Sequence, residues 1–448
     1  MRRLHGIVEG CTNRGKLEWQ YPAGGSGSYP AFGGVAGIIE GQINKCNNYG
    51  KLTYTGSLDV AVTDASIGGV AGYVTDNATD CHNYGSFNIN SAFAGGTSLA
   101  QSGGNTTYST FGGVFGNVGP YAKDETYSAS KGVEIRNCTN EANIKFNCYM
   151  VASGGPKMCF GGVVGASTAN MKNCHNNKAL TINTQTKYIY SGGVVGFIEA
   201  DMDNCSNKGI ITVDGCADES TINYTQAYIG GVFGTVTKGS TLSNLKNSGS
   251  VTVSNVVSTD SALSYVGGVG SYYIGSFKLE NSSNTATVNS NADTPVCLGG
   301  VMGAFNGTMT NCKNSGKVMY SSTYISPYEK DGGDKKPEIG GLVGYANADF
   351  IGCSNTGTVT SVADDGYLSG FVAGFGNASK TWANCTVNCS VESSATNASV
   401  LGRFRNIASN QTITLGAEDQ PFTIEGPTAE LPKFGQDCGT GNQVVMFE

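Results

Sequence analysis

Phe160-Gly161-Gly162-Val163-Val164-Gly165, followed shortly by Asn173-Cys174-His175-Asn176, holds the two half-motifs that decide the fold. The first half, apolar–Gly–Gly–Val–x–Gly, recurs with its leading glycine at 33, 68, 112, 161, 192, 230, 267, 299 and 340, and a worn copy starts at Ser369. Successive copies lie 29 to 49 residues apart. Self-similarity at that period signals a solenoid, propeller or array, whose units bury their apolar faces by stacking on neighbours.

The second half reads most fully as Asn311-Cys312-Lys313-Asn314-Ser315-Gly316-Lys317-Val318. Its cysteine column is Cys11, Cys46, Cys81, Cys138, Cys174, Cys205, Cys312, Cys353 and Cys385, with Leu245 and Ser282 standing in at two copies. Exchange of cysteine for leucine or serine marks a small buried position, where a free thiol behaves as a small hydrophobe. Two residues on comes an asparagine column containing Asn48, Asn83, Asn140, Asn176, Asn207, Asn314 and Asn355. Asparagine tolerates left-handed backbone and suits a turn, and stacked copies can pair as an amide ladder. The glycine that follows (Gly50, Gly85, Gly316) is expected to supply a second unusual backbone angle.

Lys208–Asp214 and Ser250–Ser254 alternate β-branched and polar residues, the period of a strand with one buried face. No stretch keeps apolar residues at helical spacing over three turns. The expectation is an all-β parallel β-helix, a right-handed β-solenoid of three strands per coil and about eleven coils. At ~4.8 Å per coil the rod would be roughly 50 Å long. Residues 1–400 would form the solenoid, its first coil incomplete, and 401–448, with Pro421, Pro427 and Pro432, a terminal cap. A propeller is the rival, but the 29-residue unit is tight for four antiparallel strands, and ten copies exceed the usual blade number. The Gly-Gly pair reads as a bend where a Cβ would not fit. A phosphate cradle would need a following helix, and none is expected.

Gly340-Gly341-Leu342-Val343-Gly344 resembles the GLUG repeat, a short tandem motif of large bacterial surface and secreted proteins, including those of gut Bacteroidetes. The similarity extends over roughly residues 6 to 400, with Val in most copies where the name implies Leu. The resemblance implies an extracellular or cell-surface solenoid. It transfers no catalytic residue: the H-E-x-x-H motif of the GLUG-bearing IgA-specific metallopeptidases does not occur in the sequence.

The chain enters a repeat at Gly6 without an intervening hydrophobic stretch, so we expect a fragment or an internal start, and no apolar run is long enough to span a membrane. Fifteen cysteines raise the question of disulfides. Cysteines stacked a coil apart exceed disulfide reach and cannot converge on zinc, so no metal or cofactor is expected. Cys148 with Cys159 is the best disulfide candidate, and Cys385 with Cys389 a weaker one. A net charge of −7 argues against nucleic acid and anionic membrane as partners.

Parallel β-helices also host polysaccharide lyases and glycosidases, which cluster carboxylates near a base. Asp201 and Asp203 on one strand face, and Asp331, Asp334 and Glu338 in one loop, are the candidates; a solvated strand edge and a polar loop tip are the plainer readings. His82 and His175 follow column cysteines where other coils carry varied polar residues, which marks an outward position. The longest insertions, Glu18–Ala31, Asn88–Thr110, Gly215–Tyr228 and Met319–Glu338, precede Gly-Gly bends and should emerge along one edge of the rod. They carry Trp19, Tyr21, Tyr224, Tyr228, Tyr320, Tyr324 and Tyr328, suited either to recognition or to covering the rod's flank. The expected function is a non-catalytic adhesin or binding segment that recognises a glycan or surface glycoprotein; the alternative is a polysaccharide-active β-helix enzyme.

Overall fold

The computed structural model describes residues 3–20, 30–56, 62–63, 65–94, 109–119, 132–150, 157–184, 186–215, 225–237, 239–257, 263–323, 336–363, 366–376, 379–393, 398–404, 412–416, 419–433 and 444–447. Among them the chain is a parallel β-helix, and the coil of the best-kept motif shows its plan. Glu338–Gly340 forms a short bend strand, Val343–Ile351 a long face, Ser354–Asn355 a two-residue bridge at the asparagine corner, and Val359–Ser361 a third face. Each element pairs in parallel with its counterpart in the next coil, giving ladders of 11 bend strands, 12 corner bridges and a 12-stranded third face beside the long face. The register matches motif to motif: Phe111 opposes Phe160, Gly112 opposes Gly161, and Asn140 opposes Asn176. Three substantial faces per coil enclose the core, as the spacing predicts. Past residue 400 the ladders continue through Arg403–Phe404, Thr412–Leu415 and Thr423–Glu425, and a single 3-10 turn, Gly426–Glu430, buries Thr428 against Cys389.

Alternation sets what faces inward. Met158, Phe160, Ile189 and Ile229 from the bend strands meet Phe146, Ile182, Ile211 and Val253 from the third face in one apolar cluster. The cysteine column packs in a second cluster, with the valines after the Gly-Gly pairs and the inner residues of the long face. Eight of the nine column cysteines are fully buried, and Cys11 of the first coil is exposed. Each thiol donates to a backbone carbonyl two residues back, as Cys174 does to Lys172; Ser282 makes the same bond to Glu280 at 2.8 Å. That shared bond explains the exchange of serine for cysteine.

No disulfide joins the described cysteines. Cys148, on the third face, lies in the core cluster, while Cys159, on the bend ladder and one residue from the inward Phe160, points out of the wall, so one thiol of the proposed pair is inside the coil and the other outside it. Cys385 and Cys389 are likewise free thiols. Burial pushes the Cys138 and Cys205 thiols well above the usual range, which keeps them protonated and inert. We expect native protein to leave the column from Cys46 to Cys385 unlabelled by a thiol reagent until denaturant is added. Cys174→Ala should cost only about 1–2 kcal/mol, a small truncation; a disulfide between Cys46 and Cys81 in mass spectra would refute the reduced column.

The corner corrects two expectations about backbone. The left-handed residue is the one before the cysteine: Asn137, Asn173, Asn204, Asn244, Asn281 and Asn311 have φ between 50° and 57°. The asparagine two residues after the cysteine is extended, and its side chain does the work. Asn207 Nδ2 donates to Gly209 O at 2.8 Å and to Asn247 Oδ1 at 2.9 Å, while its Oδ1 accepts from Gly209 N and from Asn176 Nδ2. The glycine that follows needs no left-handed φ; it leaves room for the coil below, since a Cβ on Gly85 would sit 2.0 Å from Gly50 O. Ala142, Lys178 and Ala286 fill that place in other coils and still accept the asparagine's bond at 2.8 Å.

The Gly-Gly bend is a place of close approach, as expected. A Cβ on Gly193 would lie 2.2 Å from Gly231 O in the next coil and 2.3 Å from Asn207 Cγ across the interior. Gly162, Gly231, Gly268 and Gly300 press in the same way on Asn176, Asn247, Asn284 and Asn314. The rod is therefore thinnest between bend and corner, where glycine and amide stack against each other. Where the ladder ends the pairing relaxes: Val387 takes the asparagine position, and one coil on Val400 takes the glycine position.

Candidate recognition groove

The predicted aromatic set divides on inspection. Trp19 shares the inward side of its strand with Leu17, opposes the fully buried Tyr54 and packs edge-on to Phe32 at 5.5 Å. Tyr320 is 0% exposed, and its hydroxyl donates to Ala292 O at 3.2 Å. Both residues leave the recognition set, because a ring turned into the core offers nothing to a ligand. The sequence reading places them in insertions, but the strands Leu17–Gln20 and Val318–Tyr320 run on past the expected insertion starts at Glu18 and Met319. Tyr21, Tyr224, Tyr324 and Tyr328 lie outside the described residues. Tyr228 alone of the described members faces outward.

It does so in a groove that the sequence did not reveal as a unit. At the Gly-Gly bend the chain doubles back, so the outer sides of the bend strands and the long face turn toward each other. They meet backbone to backbone at the motif's last glycine: a Cβ on Gly196 would sit 2.7 Å from Phe160 N. Further from the bend the gap is filled by Cys159, Tyr190, Tyr228 and Tyr265 on one wall and Ala166, Phe197 and Tyr272 on the other. Tyr190, Tyr228 and Tyr265 are register partners in successive coils. The signal was present in the sequence as the residue two before each leading glycine.

These rings stack along the rod. Tyr190 and Tyr228 lie 4.8 Å apart at 12°, Tyr228 and Tyr265 5.6 Å apart at 17°, and Tyr272 closes on Tyr265 at 4.4 Å. A ladder spends its ring faces on its own members, and the Tyr228 hydroxyl donates to Gln226 Oε1 at 3.2 Å. Burial holds the Tyr190 and Tyr272 phenols above their ordinary range, so they stay protonated. At the lip, Lys157 and Lys187 bring their ammonium groups to 5.5 and 5.9 Å from the Tyr188 ring. Just past the long-face strand Val195–Ile198, two residues beyond Phe197, burial pushes the Glu199 carboxyl from 4.5 up to about 7. An acid raised in the folded state binds more protons there than when unfolded. Stability should therefore fall as pH rises from about 4.5 through 7, by up to about 3 kcal/mol. Glu199→Gln should flatten that slope in denaturant titrations at pH 5 and 8; an unchanged slope would refute the assignment.

The groove ends in a buried ion pair. Glu338, expected at a loop tip, is 0% exposed on the bend ladder, 3.6 Å from Arg403 Nη2, with Cys297 Sγ donating to it at 3.4 Å. Arg403 lies 3.6 Å over the Tyr367 ring, and Gly374 leaves the space that the carboxylate fills. Glu338 is thus a structural acid. Asp331 and Asp334 lie outside the described residues.

The other carboxylates serve coil-to-coil contacts. Asp203 accepts from Asn244 at 2.7 Å and Ser243 at 2.9 Å, and those bonds, Asn244's foremost, hold its carboxyl below the usual range. Asp201 accepts from Thr241 N at 2.8 Å. His82 and His175 sit half-buried at the corner, each 2.8 Å from a hydroxyl in the next coil, Thr139 and Ser206. Among the described residues no three His, Cys, Asp or Glu side chains are placed to hold a metal ion, and no helix is long and apolar enough to cross a membrane.

Residues 338–360 match the GLUG motif. That span runs from the bend strand over the long face and the asparagine corner into the third face, so the motif is the arc of one coil that excludes the variable loop. The resemblance read from Gly340–Gly344 is borne out at this coil, and the other coils repeat its register. Nothing among the curated proteins or the solved structures matches the chain.

Proposed function

We propose that this GLUG-bearing solenoid is a non-catalytic binding segment of a bacterial surface or secreted protein, and that it recognises an extended glycan or glycoprotein along the tyrosine groove. The observation that carries the reading is the row of outward tyrosines at Tyr190, Tyr228 and Tyr265, repeated at the coil spacing beside the edge from which the loops depart. A row with a rung every ~4.8 Å repeats at an interval close to the length of a sugar residue, so successive residues of a polymer would meet successive tyrosines. Such a surface suits a polymer better than a compact metabolite, and affinity would come from many modest contacts. The enzyme alternative draws less support, because Asp201, Asp203 and Glu338 are engaged in contacts between coils. A glycan array with wild type and the Tyr228→Phe, Tyr265→Phe double variant tests the proposal. The variant keeps the stacked rings and should bind several-fold more weakly at unchanged Tm. Binding to no glycan would overturn the proposal, as would turnover that disappears in Asp201→Asn, Asp203→Asn protein.

A further inference from the structure

We propose that the asparagine corner of the rod is a separate binding site, a cationic ridge that takes a linear polysaccharide bearing sulfate or carboxylate groups. It stands apart from the tyrosine groove, which lies outside the Gly-Gly bend, across the interior from the corner.

Charge along the corner is the first support. Each copy of the corner half-motif runs from the residue before the cysteine to the residue before the third face, as residues 45–51 do. Over eleven copies these residues include nine Lys and Arg against Asp80 and Glu141, a net +7 on a chain whose total is −7. Lys45 pairs with Glu9 at 3.3 Å, and Lys16 pairs with Glu18. The other seven cations are exposed, with no ion-pair partner among the described residues. Arg14 and Lys51 lie on the first two coils, Lys178, Lys208 and Lys246 on three successive coils, and Lys313 and Lys317 two coils further on.

The second support is how the fold uses its charges. Carboxylates at the corner are bound between coils: Asp80 accepts from Asn137 Nδ2 at 2.9 Å, Glu141 from Asn177 Nδ2, and Asp203 from Asn244 Nδ2 at 2.7 Å. The seven cations make no such bond among the described residues. The outward place that Lys208 fills is taken by Tyr84, Glu141, Asn177 and Ser248 in other coils, so the fold does not require lysine there. Lys178, Lys208 and Lys246 stand on neighbouring coils, ~4.8 Å apart along the axis, and repel one another. A bound polyanion would relieve that repulsion.

The shape of the ridge selects the polymer. Each coil gives the corner a two-residue bridge, such as Ser206–Asn207, so the cations form a line and not a plane. From Arg14 to Lys317 that line is roughly 40 Å long at ~4.8 Å per coil. Acids border it on both sides: Asp203 and Glu280 end their long-face strands, and Glu18 and Asp214 lie on the third face. A broad anionic partner, such as a DNA duplex or a membrane, would meet those carboxylates, whereas a single polysaccharide strand touches the ridge alone. Tyr49 and Tyr84 face each other at 4.7 Å and 8°, and Arg14 lies 4.9 Å over Tyr49, which leaves nucleic-acid bases little ring to stack on.

The test is calorimetric titration of the whole chain with dextran sulfate, with dextran and with duplex DNA. Dextran sulfate should bind, and dextran, which keeps the sugar backbone without the charge, should bind far more weakly. Raising salt from 50 to 200 mM should weaken the sulfated polymer by at least about tenfold, as counterions are released. Lys208→Gln, Lys246→Gln protein should lose roughly tenfold at unchanged Tm. Lys145→Gln, Lys278→Gln removes equal charge from the third and long faces and should bind as wild type does. Absence of dextran sulfate binding, equal binding of dextran, equal losses in the two lysine variants, or duplex DNA bound as tightly as the polysaccharide would each overturn the ridge. Neutral glycans on the array test the groove separately: a chain that binds dextran sulfate and no neutral glycan loses the groove reading and keeps the ridge.

Discussion

Asn207→Ala should destabilise the protein by about 4 kcal/mol, far more than the side chain's size suggests. Asn207 is fully buried and holds four partners: Gly209 N, Gly209 O, Asn176 Nδ2 and Asn247 Oδ1. Alanine strands all four in a space that the neighbouring coils close to water. Each buried donor or acceptor left without a partner costs about 1–3 kcal/mol, and part of that cost is relieved because Asn176 still donates to Lys178 O. Denaturant unfolding and local hydrogen exchange would measure the loss. Exchange should rise first at the corner around Asn207, because stability in a solenoid is a sum of units and interfaces. A cost below about 1 kcal/mol would show that the ladder contributes packing only.

Gly193→Ala should be as severe, at roughly 3–5 kcal/mol. The new methyl group has a rigid carbonyl on one side, Gly231 O at 2.2 Å, and Asn207 Cγ at 2.3 Å on the other. Since both changes strike one contact, they should not add. The Gly193→Ala, Asn207→Ala double variant should lie well below the sum of the singles, with a coupling of about 1 kcal/mol or more. Full additivity would mean that the glycine serves the bend alone and is indifferent to the amide across from it.

Gly193 and Asn207 also show how far the sequence could be read. Each column was visible because the repeat aligns residues of like environment: apolar positions gave the inward faces, and the exchange of Cys for Ser or Leu gave burial. Invisible was the contact between columns, glycine against asparagine, since periodicity along the chain does not report what meets across the interior. The same limit explains Trp19 and Tyr320. Composition marked them as loop aromatics, and only the phase of the strand sends them inward. The groove was missed for a different reason. Its two walls belong to one motif, Tyr190 before the glycines and Phe197 after them, and the fold of the bend decides whether those residues diverge or meet.

The amide ladder has a direction. From Asn13 to Asn48, Asn83, Asn140 and on to Asn355, every Nδ2 donates toward the following coil, and the last donates to Gly370 O. The backbone fixes this sense, because Gly50 N donates to Asn48 Oδ1 and Asn48 Nδ2 donates to Gly50 O, so no single amide can turn over alone. Ten amide dipoles, each of about 3.5 D if like a peptide group, thus point one way along the axis. This column of amides is electrically a needle, positive toward the C-terminal end. Two such needles laid side by side would favour opposite orientations, whereas end to end they would favour head-to-tail order.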